Sequence, residues 1–470
     1  MGIDPTQSIQ EQDYENALVV QARKIAERLA ELQPSPKIPY VTVTLDWRVE
    51  GTNPGRQPYY PEGTRPDDDK LRSQPDRPSE EREEDSARRR PARRVFEDQM
   101  DELVEAHGPH GDVYESLKAD FERISNYLDH EIDPSAKGAF IVSCSGKGVF
   151  ETVLFALPLT TSVSTGPTPA LTELVRLDED FPTYGALLAD QKNAHLSVIS
   201  HGTTDHAVIL EASGYPRKQA QGGWSQRRYQ ARADERIEAF ARDVAEETRK
   251  VMDDEGIGSL IIAGDEVITS VLDGEMHESV KDRVIGTIHL DIDASESDLL
   301  ESSMPVALKA ERQRELEAVQ HASDGIGADT FGAGGSQKVV DALQAGQVMT
   351  LVMNDDFEGV GWADYTLPAY GVGDLPTNHP LGGEVSNLVE VDLRDEFVRL
   401  AVQTGAEVEF IHTNIPDDAT ELDEIPEPGE GPPRSKAARM LDEHGGVAAI
   451  LRYVVGDEPS EAESAAQAQA

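Results

Sequence analysis

The stretch Gln221–Ala263 begins QGGWSQRRYQARADERIEAF and ends GSLIIA. It predicts a loop, a long helix and a buried strand in that order. Gly222 and Gly223 allow backbone angles that a Cβ would forbid, and Ser225 is a residue type that caps helices. The helix should span about 225–252, because apolar residues recur at helical spacing. Gln226 would stand at its start with the side-chain amide free to project. The helical stripe is Tyr229, Ala233, Ile237, Phe240, Val244 and Val251.

A basic cluster surrounds the loop and the first turns of this helix. Its members are Arg217, Lys218, Arg227, Arg228, Arg232 and Arg236. Only Asp234 and Glu235 oppose them there. The whole chain has 89 Asp and Glu against 43 Lys and Arg, a formal charge of −46. Such a concentrated cluster of positive charge is unusual in an acidic chain. It indicates that this region binds an anionic ligand.

The composition fits two kinds of protein. One is a disordered acidic protein, and the other is a folded protein with a solvated acidic surface, as in halophilic archaea with molar internal salt. The hydrophobic content of 38% and the periodic segments favour the folded protein. Cys144 is the single cysteine, which excludes an intramolecular disulfide, and it lies in a strand pattern as a small core residue. No long apolar run or signal peptide is found, so a soluble cytoplasmic protein without a membrane partner is expected.

The pattern of strands and helices predicts an α/β fold of three domains. Strands at 38–47, 139–144 and 149–157, with helical segments in 10–32 and 95–130, indicate an N-terminal α/β domain. Residues 49–94 are read as a charged insertion, although a charged helix from about Ser79 would fit the same composition. The predicted domains are 1–190 with that insertion, a middle domain 191–325 and a C-terminal domain 326–455, followed by a disordered tail 456–470.

Other candidate sites have simpler interpretations. His107 and His110 lie at a predicted helix break without cysteine partners, so no metal site is expected there. Asp265 and Glu266 follow a buried strand, where carboxylates either bind a metal or favour the start of a helix; the helix start is the preferred interpretation. Gly332–Gly335 lacks the lysine of a phosphate-binding loop. We therefore expect neither a metal nor a cofactor.

Three blocks of the sequence resemble the archaeal and eukaryotic class I peptide release factor superfamily, in the order that the superfamily has them. The first is 221–248 with 258–266, the loop, basic helix and apolar strand. The second is SQKVVDALQAGQVMTLVMNDD at 336–356, and the third is GGVAAILRY at 445–453. The resemblance covers about 194–453. It implies a middle domain with an RNase H-like core and a protruding loop, and a C-terminal α/β/α domain like that of RNA-binding ribosomal proteins.

The loop departs from the superfamily's usual Gly-Gly-Gln. Gly222 and Gly223 are followed by Trp224 and Ser225, and the glutamine comes at 226. This resembles the variant branch that includes the peptidyl-tRNA hydrolases of ribosome quality control. The stop-codon motif Asn-Ile-Lys-Ser is absent from residues 1–190, which favours ribosome rescue over ordinary termination.

The resemblance implies a hydrolase that acts on the peptidyl-tRNA ester. Gln226 would orient the attacking water, because an amide has a donor and an acceptor and does not titrate. Gly222 and Gly223 would let the backbone enter a narrow site. The predicted RNA contacts are Arg217, Lys218, Arg227, Arg228 and Arg232 on phosphates, with Trp224 and Ser225 in the same loop. The sequence leaves open whether the cleavage falls instead on the tRNA 3′ end.

Two alternatives remain beside this interpretation. The loop could be an ordinary turn with a helix cap, followed by a solvated basic face. The protein could also be a non-catalytic ribosome-binding rescue adaptor resembling Pelota. The partners expected in either translational role are the ribosome and tRNA, with an escort GTPase of the kind that accompanies such factors.

Overall fold

The computed structural model of the chain describes residues 24–48, 90–108, 110–134, 136–155, 158–180, 183–200, 203–211, 226–413 and 434–453. Only the backbone is described for residues 178–180, 200, 203–211 and 226–234. The described residues form two compact units. One contains those of Leu177–Ala318 and Asn414–Ala437, and the other contains those of Leu18–Arg176, Val319–Thr413 and Ala438–Ala470. Sheets and helices alternate throughout, which confirms the predicted α/β class.

An antiparallel four-stranded sheet opens the chain, in the order β3-β2-β1-β4. Two helices pack on one face of it, and their apolar side chains share a core with Val41, Val43 and Leu45. A third helix follows β4. The strands are β1 Tyr40–Asp46, β2 Gly138–Cys144, β3 Val149–Phe155 and β4 Ser162–Gly166; the helices are α1 Pro91–Ala106, α2 Asp112–His130 and α3 Thr172–Asp180. Cys144 is buried in β2, as expected.

The charged insertion ends earlier than predicted. Residues 91–94 belong to α1, and the prediction of 49–94 is wrong at that end. Proline is compatible with the first helical position because it has no N–H that the helix needs. Arg90 and Arg93 looked like solvated charges, yet both are buried. Arg90 donates to the carbonyl of Pro134, and Arg93 pairs with Asp129. The rest of the insertion, 49–89, lies outside the described residues.

A mixed five-stranded sheet follows, in the order β7-β6-β5-β8-β9. The first three strands in sequence are antiparallel, and β8 and β9 are parallel to β5. This arrangement agrees with the RNase H-like core that the resemblance implied. The strands are β5 Tyr184–Ala189, β6 Asn193–Ser200, β7 Thr203–Glu211, β8 Leu260–Gly264 and β9 Val284–Ile288; the helices are α4 Gln226–Asp254, α5 Glu266–Glu275, α6 Glu278–Lys281 and α7 Glu296–Gly327.

One strand belongs to a different sheet from the one predicted. The boundary placed at 190/191 falls in the turn between β5 and β6, two strands that pair along their whole length. β5 therefore goes with the five-stranded sheet and not with the N-terminal domain. The cause is β8: it is buried and parallel to β5, and this pairing between residues far apart in sequence leaves no local pattern. The division of the chain into three domains stays a prediction.

The C-terminal region has two sheets. The larger one has the order β10-β16-β11-β15, and β11 and β15 are its parallel pair. The smaller one is antiparallel, with the order β13-β12-β14, and the sequence analysis missed it. The strands are β10 Gly332–Gly334, β11 Val348–Asn354, β12 Val360–Asp364, β13 Ala369–Val372, β14 Val389–Asp392, β15 Glu407–Ile411 and β16 Val447–Leu451; the helices are α8 Ser336–Gln344, α9 Leu393–Thr404 and α10 Lys436–Asp442.

Buried charges hold the small sheet against α9. Arg399 and Glu396, both on α9 and 2% exposed, form an ion pair. Glu396 accepts a hydrogen bond from the hydroxyl of Tyr365, and Arg399 donates one to the hydroxyl of Tyr370. Asp395 on the same helix accepts a bond from Thr172 at the start of α3, and burial raises the pKa of its carboxyl to about 6. None of the described helices is long and apolar enough to cross a membrane.

Candidate functional site

The predicted loop leaves the five-stranded sheet at a corner. β7 is the outer strand, and its last residue, Glu211, lies opposite Asn193 at the start of β6. Ala194, the next residue of β6, lies opposite Ala189, the last residue of β5, which in turn lies beside Gly264 at the end of β8. The chain therefore leaves β7 at the edge formed by the carboxyl ends of the parallel strands. In open α/β sheets this is the edge where functional loops gather.

The helix α4 returns from that loop and packs on the sheet. Phe240, Val244 and Met252 are buried against the sheet and α5, and Ile237 packs against the same core. From Phe240 to Met252 the helix rises by about 18 Å at 1.5 Å per residue, roughly the length of a five-residue strand. The helix begins at Gln226, ~17 Å of axis before Ile237 by the same rise.

The predicted site residues fall at and before this end of the helix. The backbone of Gln226 is the first of α4, one position later than the predicted start at 225. Arg227, Arg228 and Arg232 follow within the first two turns, and the structure describes their backbone alone. Arg217, Lys218, Gly222, Gly223, Trp224 and Ser225 lie outside the described residues. The structure thus brings four of the ten residues onto one helix end, and the roles of all ten stay predictions.

Further along α4, basic side chains are paired with carboxylates. Arg242 Nε lies 2.9 Å from Glu275 on α5, and this partner raises the pKa of Arg242. Arg249 bonds both Glu246 and Asp253, and its bond to Glu246 lowers the pKa of that carboxyl. These contacts are exposed ion pairs of the helix surface. The anchored half of α4 therefore has the acidic character of the whole chain.

Asp265 caps the start of a helix, which agrees with the preferred interpretation of Asp265 and Glu266 as a helix start. Its carboxylate accepts hydrogen bonds of 2.9 Å from the backbone N–H groups of Val267 and Ile268 at the start of α5. Ser336, at the start of the second resembling block, is a residue type that often caps helices, but it does not occupy the cap position here. The residue at that cap position is Gly335, and Ser336 is the first residue of α8. Gly335 has φ +84°, a left-handed angle that a glycine adopts without strain.

A cleft of about 780 Å³ lies between α7 and the starts of β8 and β9. The sequence analysis did not find it, because its lining comes from three separate segments. The basic groups in it are mostly neutralised by ion pairs. Arg283 pairs with Asp253, Arg312 with Glu315 and Arg314 with Glu311. Because most of its positive charge is paired, the cleft is a weaker candidate for binding an anion than the start of α4.

Comparison with known proteins finds relatives of this chain. Residues 169–308, from the approach to α3 into α7, match the family described as Bacterial archaeo-eukaryotic release factor family 10. The chain is 26% identical over 370 residues to peptide chain release factor subunit 1 of Archaeoglobus fulgidus, covering 72% of this chain and 84% of the relative. The corresponding protein of Thermococcus onnurineus is 24% identical over 283 residues, covering 52% and 67%.

The chain is thus similar in sequence to archaeal peptide chain release factors and, over residues 169–308, to a family of release-factor homologues. The resemblance to the release factor superfamily, which the three blocks had indicated, is confirmed. Among solved structures, the archaeal translation termination factor aRF1 matches with 14% identity and a TM-score of 0.23, covering 92% of this chain and 98% of that one. Pelota of Archaeoglobus fulgidus matches with 16% identity and a TM-score of 0.30, covering 70% and 82%. These TM-scores are too low to carry an argument about this chain.

The named sequence relatives are peptide chain release factors. The matched family segment contains β7, the start of α4 and the residues between them. The candidate site is the start of α4 with the residues that precede it.

Proposed function

We propose that the protein is a peptidyl-tRNA hydrolase that acts at the ribosome, in termination or in the rescue of stalled ribosomes. The loop 217–225 and the first turns of α4 carry the activity. Gln226 orients the water that attacks the ester between the peptide and the tRNA. Gly222 and Gly223 shape the loop so that its backbone can approach the ester.

One observation supports this proposal most strongly. α4 is a single helix whose first residue is Gln226, and Ile237, about 17 Å further on, is the first of its described side chains that packs on the core. A rigid helix that holds a glutamine this far from its own core can deliver it into a deep, narrow site. An enzyme that binds a small substrate in a pocket of its own has no need of such a projection.

The chemistry at the helix end suits the ester. The first N–H groups of a helix have no partner within it and carry a partial positive charge. They and the neighbouring Arg227, Arg228 and Arg232 would bind phosphates of the tRNA acceptor end or of ribosomal RNA. The amide of Gln226 accepts a hydrogen bond from water and donates one, so it can aim a lone pair without changing its charge. Positioning of this kind is effective in a site from which bulk water is excluded.

The partners follow from the substrate. Peptidyl-tRNA on a ribosome is the proposed substrate, and the ribosome supplies much of the RNA surface around the ester. The archaeal relatives are named release factors, and one Pelota among the similar structures is described as bound to the ribosome with ABCE1. An escort GTPase is a further proposed partner.

A release assay in molar salt tests the proposal. Peptidyl-tRNA, free and on stalled ribosomes, is mixed with the wild-type protein, with Gln226→Ala and with Gln230→Ala. Gln230 is the matched control, because it is the same residue type one helical turn further along α4. We expect Gln226→Ala to lower the rate of release by about 10² to 10³, the usual loss for a removed positioning or oxyanion contact.

The control variant should release peptide at the wild-type rate, and both variants should still bind ribosomes. Ribosome binding without release by the wild type would instead identify the protein as a rescue adaptor. Release of tRNA fragments that keep the peptide would locate the cleavage in the tRNA 3′ end.

A further inference from the structure

The exposed apolar side chains of the described residues are concentrated in one small part of the C-terminal region. Twelve large apolar residues are exposed, and six of them lie between 360 and 385, in and around the three-stranded sheet. They are Val360, Leu367, Val372, Leu375, Leu381 and Val385. Single exposed apolar residues are ordinary, but a group of them marks a surface that another molecule covers.

Three of these residues form a continuous surface, which we call the tip patch: Leu367, Leu381 and Val385. Leu381 is 66% exposed, Val385 48% and Leu367 42%. A Cβ built on Gly383 would lie 2.7 Å from Leu367 Cδ1, so the Leu367 side chain rests directly on Gly383. Leu381 and Val385 are each two residues from Gly383, at most about 7.6 Å of chain. All three residues therefore lie close to Gly383.

A buried hydrogen bond between His379 and Asp364 fixes the loop that carries the patch. His379 Nε2 lies 3.0 Å from the carboxylate of Asp364, and both side chains are almost fully buried. The other ring nitrogen of His379 accepts a hydrogen bond from the backbone N–H of Leu381. Asn387 donates to the hydroxyl of Thr366 on the far side of the loop. The apolar residues are thus held in place before any partner arrives, which reduces the entropy lost on binding.

The segment that carries the patch is acidic. Between Lys338 and Arg394 the sequence contains no Lys or Arg. The exposed carboxylates of this interval, which we call the acidic rim, are Asp356, Glu358, Asp374, Glu384, Glu390 and Asp392. An acidic rim repels the phosphates of RNA. It also repels a second copy of this chain, whose formal charge is −46.

We infer that the tip patch is a docking surface for a basic protein segment with an apolar face. The apolar side chains of the partner would cover Leu367, Leu381 and Val385, and its Lys and Arg residues would meet the acidic rim. This surface lies in a different sheet from α4 and is independent of the proposed hydrolysis. A partner protein would bind at this surface, where the negative charge disfavours binding of RNA.

Binding of a synthetic peptide tests the inference without ribosomes. The probe is a fluorescent helical peptide of about 18 residues with Leu on one face and Lys on the other, long enough for five turns. The matched probe has Ser in place of every Leu and the same charge. Anisotropy titrations in molar salt use the full chain as wild type, as Leu381→Ser with Val385→Ser, and as Val267→Ser. Val267 is the control residue, because it is 53% exposed in α5, outside the patch.

We expect the wild type and Val267→Ser to bind the Leu/Lys peptide at least about tenfold more tightly than the Ser/Lys peptide, since molar salt screens the shared charge and leaves the apolar contact. The double variant should bind both peptides equally weakly. All three proteins should have the same melting temperature, because the changed residues are exposed.

Three results would overturn the inference. The first is equal binding of the two peptides by the wild type. The second is undiminished binding by the double variant. The third is tighter binding of a single-stranded RNA, or self-association in sedimentation, that the double variant loses.

Discussion

The five-stranded sheet with α4 and the three-stranded sheet with α9 are stabilised in different ways. Beneath α4, apolar side chains from four strands and three helices form one continuous core, and the ion pairs of α4, such as Arg242 with Glu275, lie at the surface. The three-stranded sheet has its charged groups inside. The hydrogen bond of Asp364 with His379 and the ion pair of Glu396 with Arg399 on α9 are buried there, beside strands of only four or five residues.

The difference follows from size and from what each region has to support. Three short strands cannot enclose an apolar core of their own, so hydrogen-bonded charges take its place. α4 packs on its sheet through a broad apolar face, and such contacts do not depend on the titration of charged groups. The region that carries the proposed catalytic end should therefore tolerate changes of charge, and the region that carries the tip patch should not.

Removing one partner of the buried ion pair should give the largest effect. Arg399→Met leaves Glu396 buried and charged, with only the hydroxyl of Tyr365 as a neighbouring donor. We expect a loss of about 3 to 5 kcal/mol in the free energy of unfolding of the C-terminal region. Urea unfolding monitored by hydrogen exchange of β12 and α9 measures it.

The double variant Glu396→Leu with Arg399→Met is its control. An apolar pair removes both charges together, so most of the lost stability should return. If Arg399→Met alone unfolds at the same urea concentration as the wild type, the buried ion pair does not stabilise the three-stranded sheet. The proposed difference between the two regions would then be wrong.

Asp364 provides a smaller effect that depends on pH. Burial alone would raise the pKa of Asp364, but hydrogen bonds from Thr366, Leu367 and His379 outweigh it and hold the pKa at about 2. Because an unfolded aspartate titrates near about 3.9, the ionised form favours the folded state. Its stabilisation is complete above pH ~4 and is lost as the pH falls towards 2.

Asp364→Asn should therefore cost about 1 to 3 kcal/mol near neutral pH, the usual loss for an impaired buried hydrogen-bonding site. The difference in stability between wild type and variant should shrink below pH ~4. Asp395 acts in the opposite direction: its pKa is raised to about 6, so its contribution declines as the pH rises towards 6. Since both proteins contain Asp395, its effect cancels in the difference. A difference that is constant from pH 2 to 7 would contradict the role of Asp364.

The apolar anchor was predictable from the sequence, and the buried charges were not. Periodic apolar residues in one segment predicted α4 to within a residue or two, and the run Ser259–Ala263 predicted β8, because both signals are local. β12 and β13 are short and contain glycine. Gly371 is required there, since a Cβ would lie 2.2 Å from the Trp362 ring. Asp364 and His379 are far apart in sequence, and nothing local shows that they meet.

The same distinction applies to the candidate site. Glycines, a serine and a glutamine ahead of an amphipathic stripe were enough to place Gln226 at a helix start. The distance from Gln226 to the first core contact of α4 was not readable from the sequence, because it depends on which part of α4 packs against the sheet. The arrangement of Gly222, Trp224 and Ser225 lies outside the described residues, and their roles stay predictions.

The smallest effect on stability is expected for the exposed ion pairs of α4. Arg242 and Glu275 form an exposed ion pair, with the side chains 65% and 25% accessible. Such pairs contribute little because water solvates both partners well and salt screens them. Arg242→Ala should leave the melting temperature unchanged in molar salt. Val244→Ala, two residues further along α4, is the matched control: Val244 is 1% exposed in the core, and its truncation should cost about 2 kcal/mol. If Arg242→Ala destabilised the protein as much as Val244→Ala, α4 would depend on charge, and the difference between the two regions would disappear.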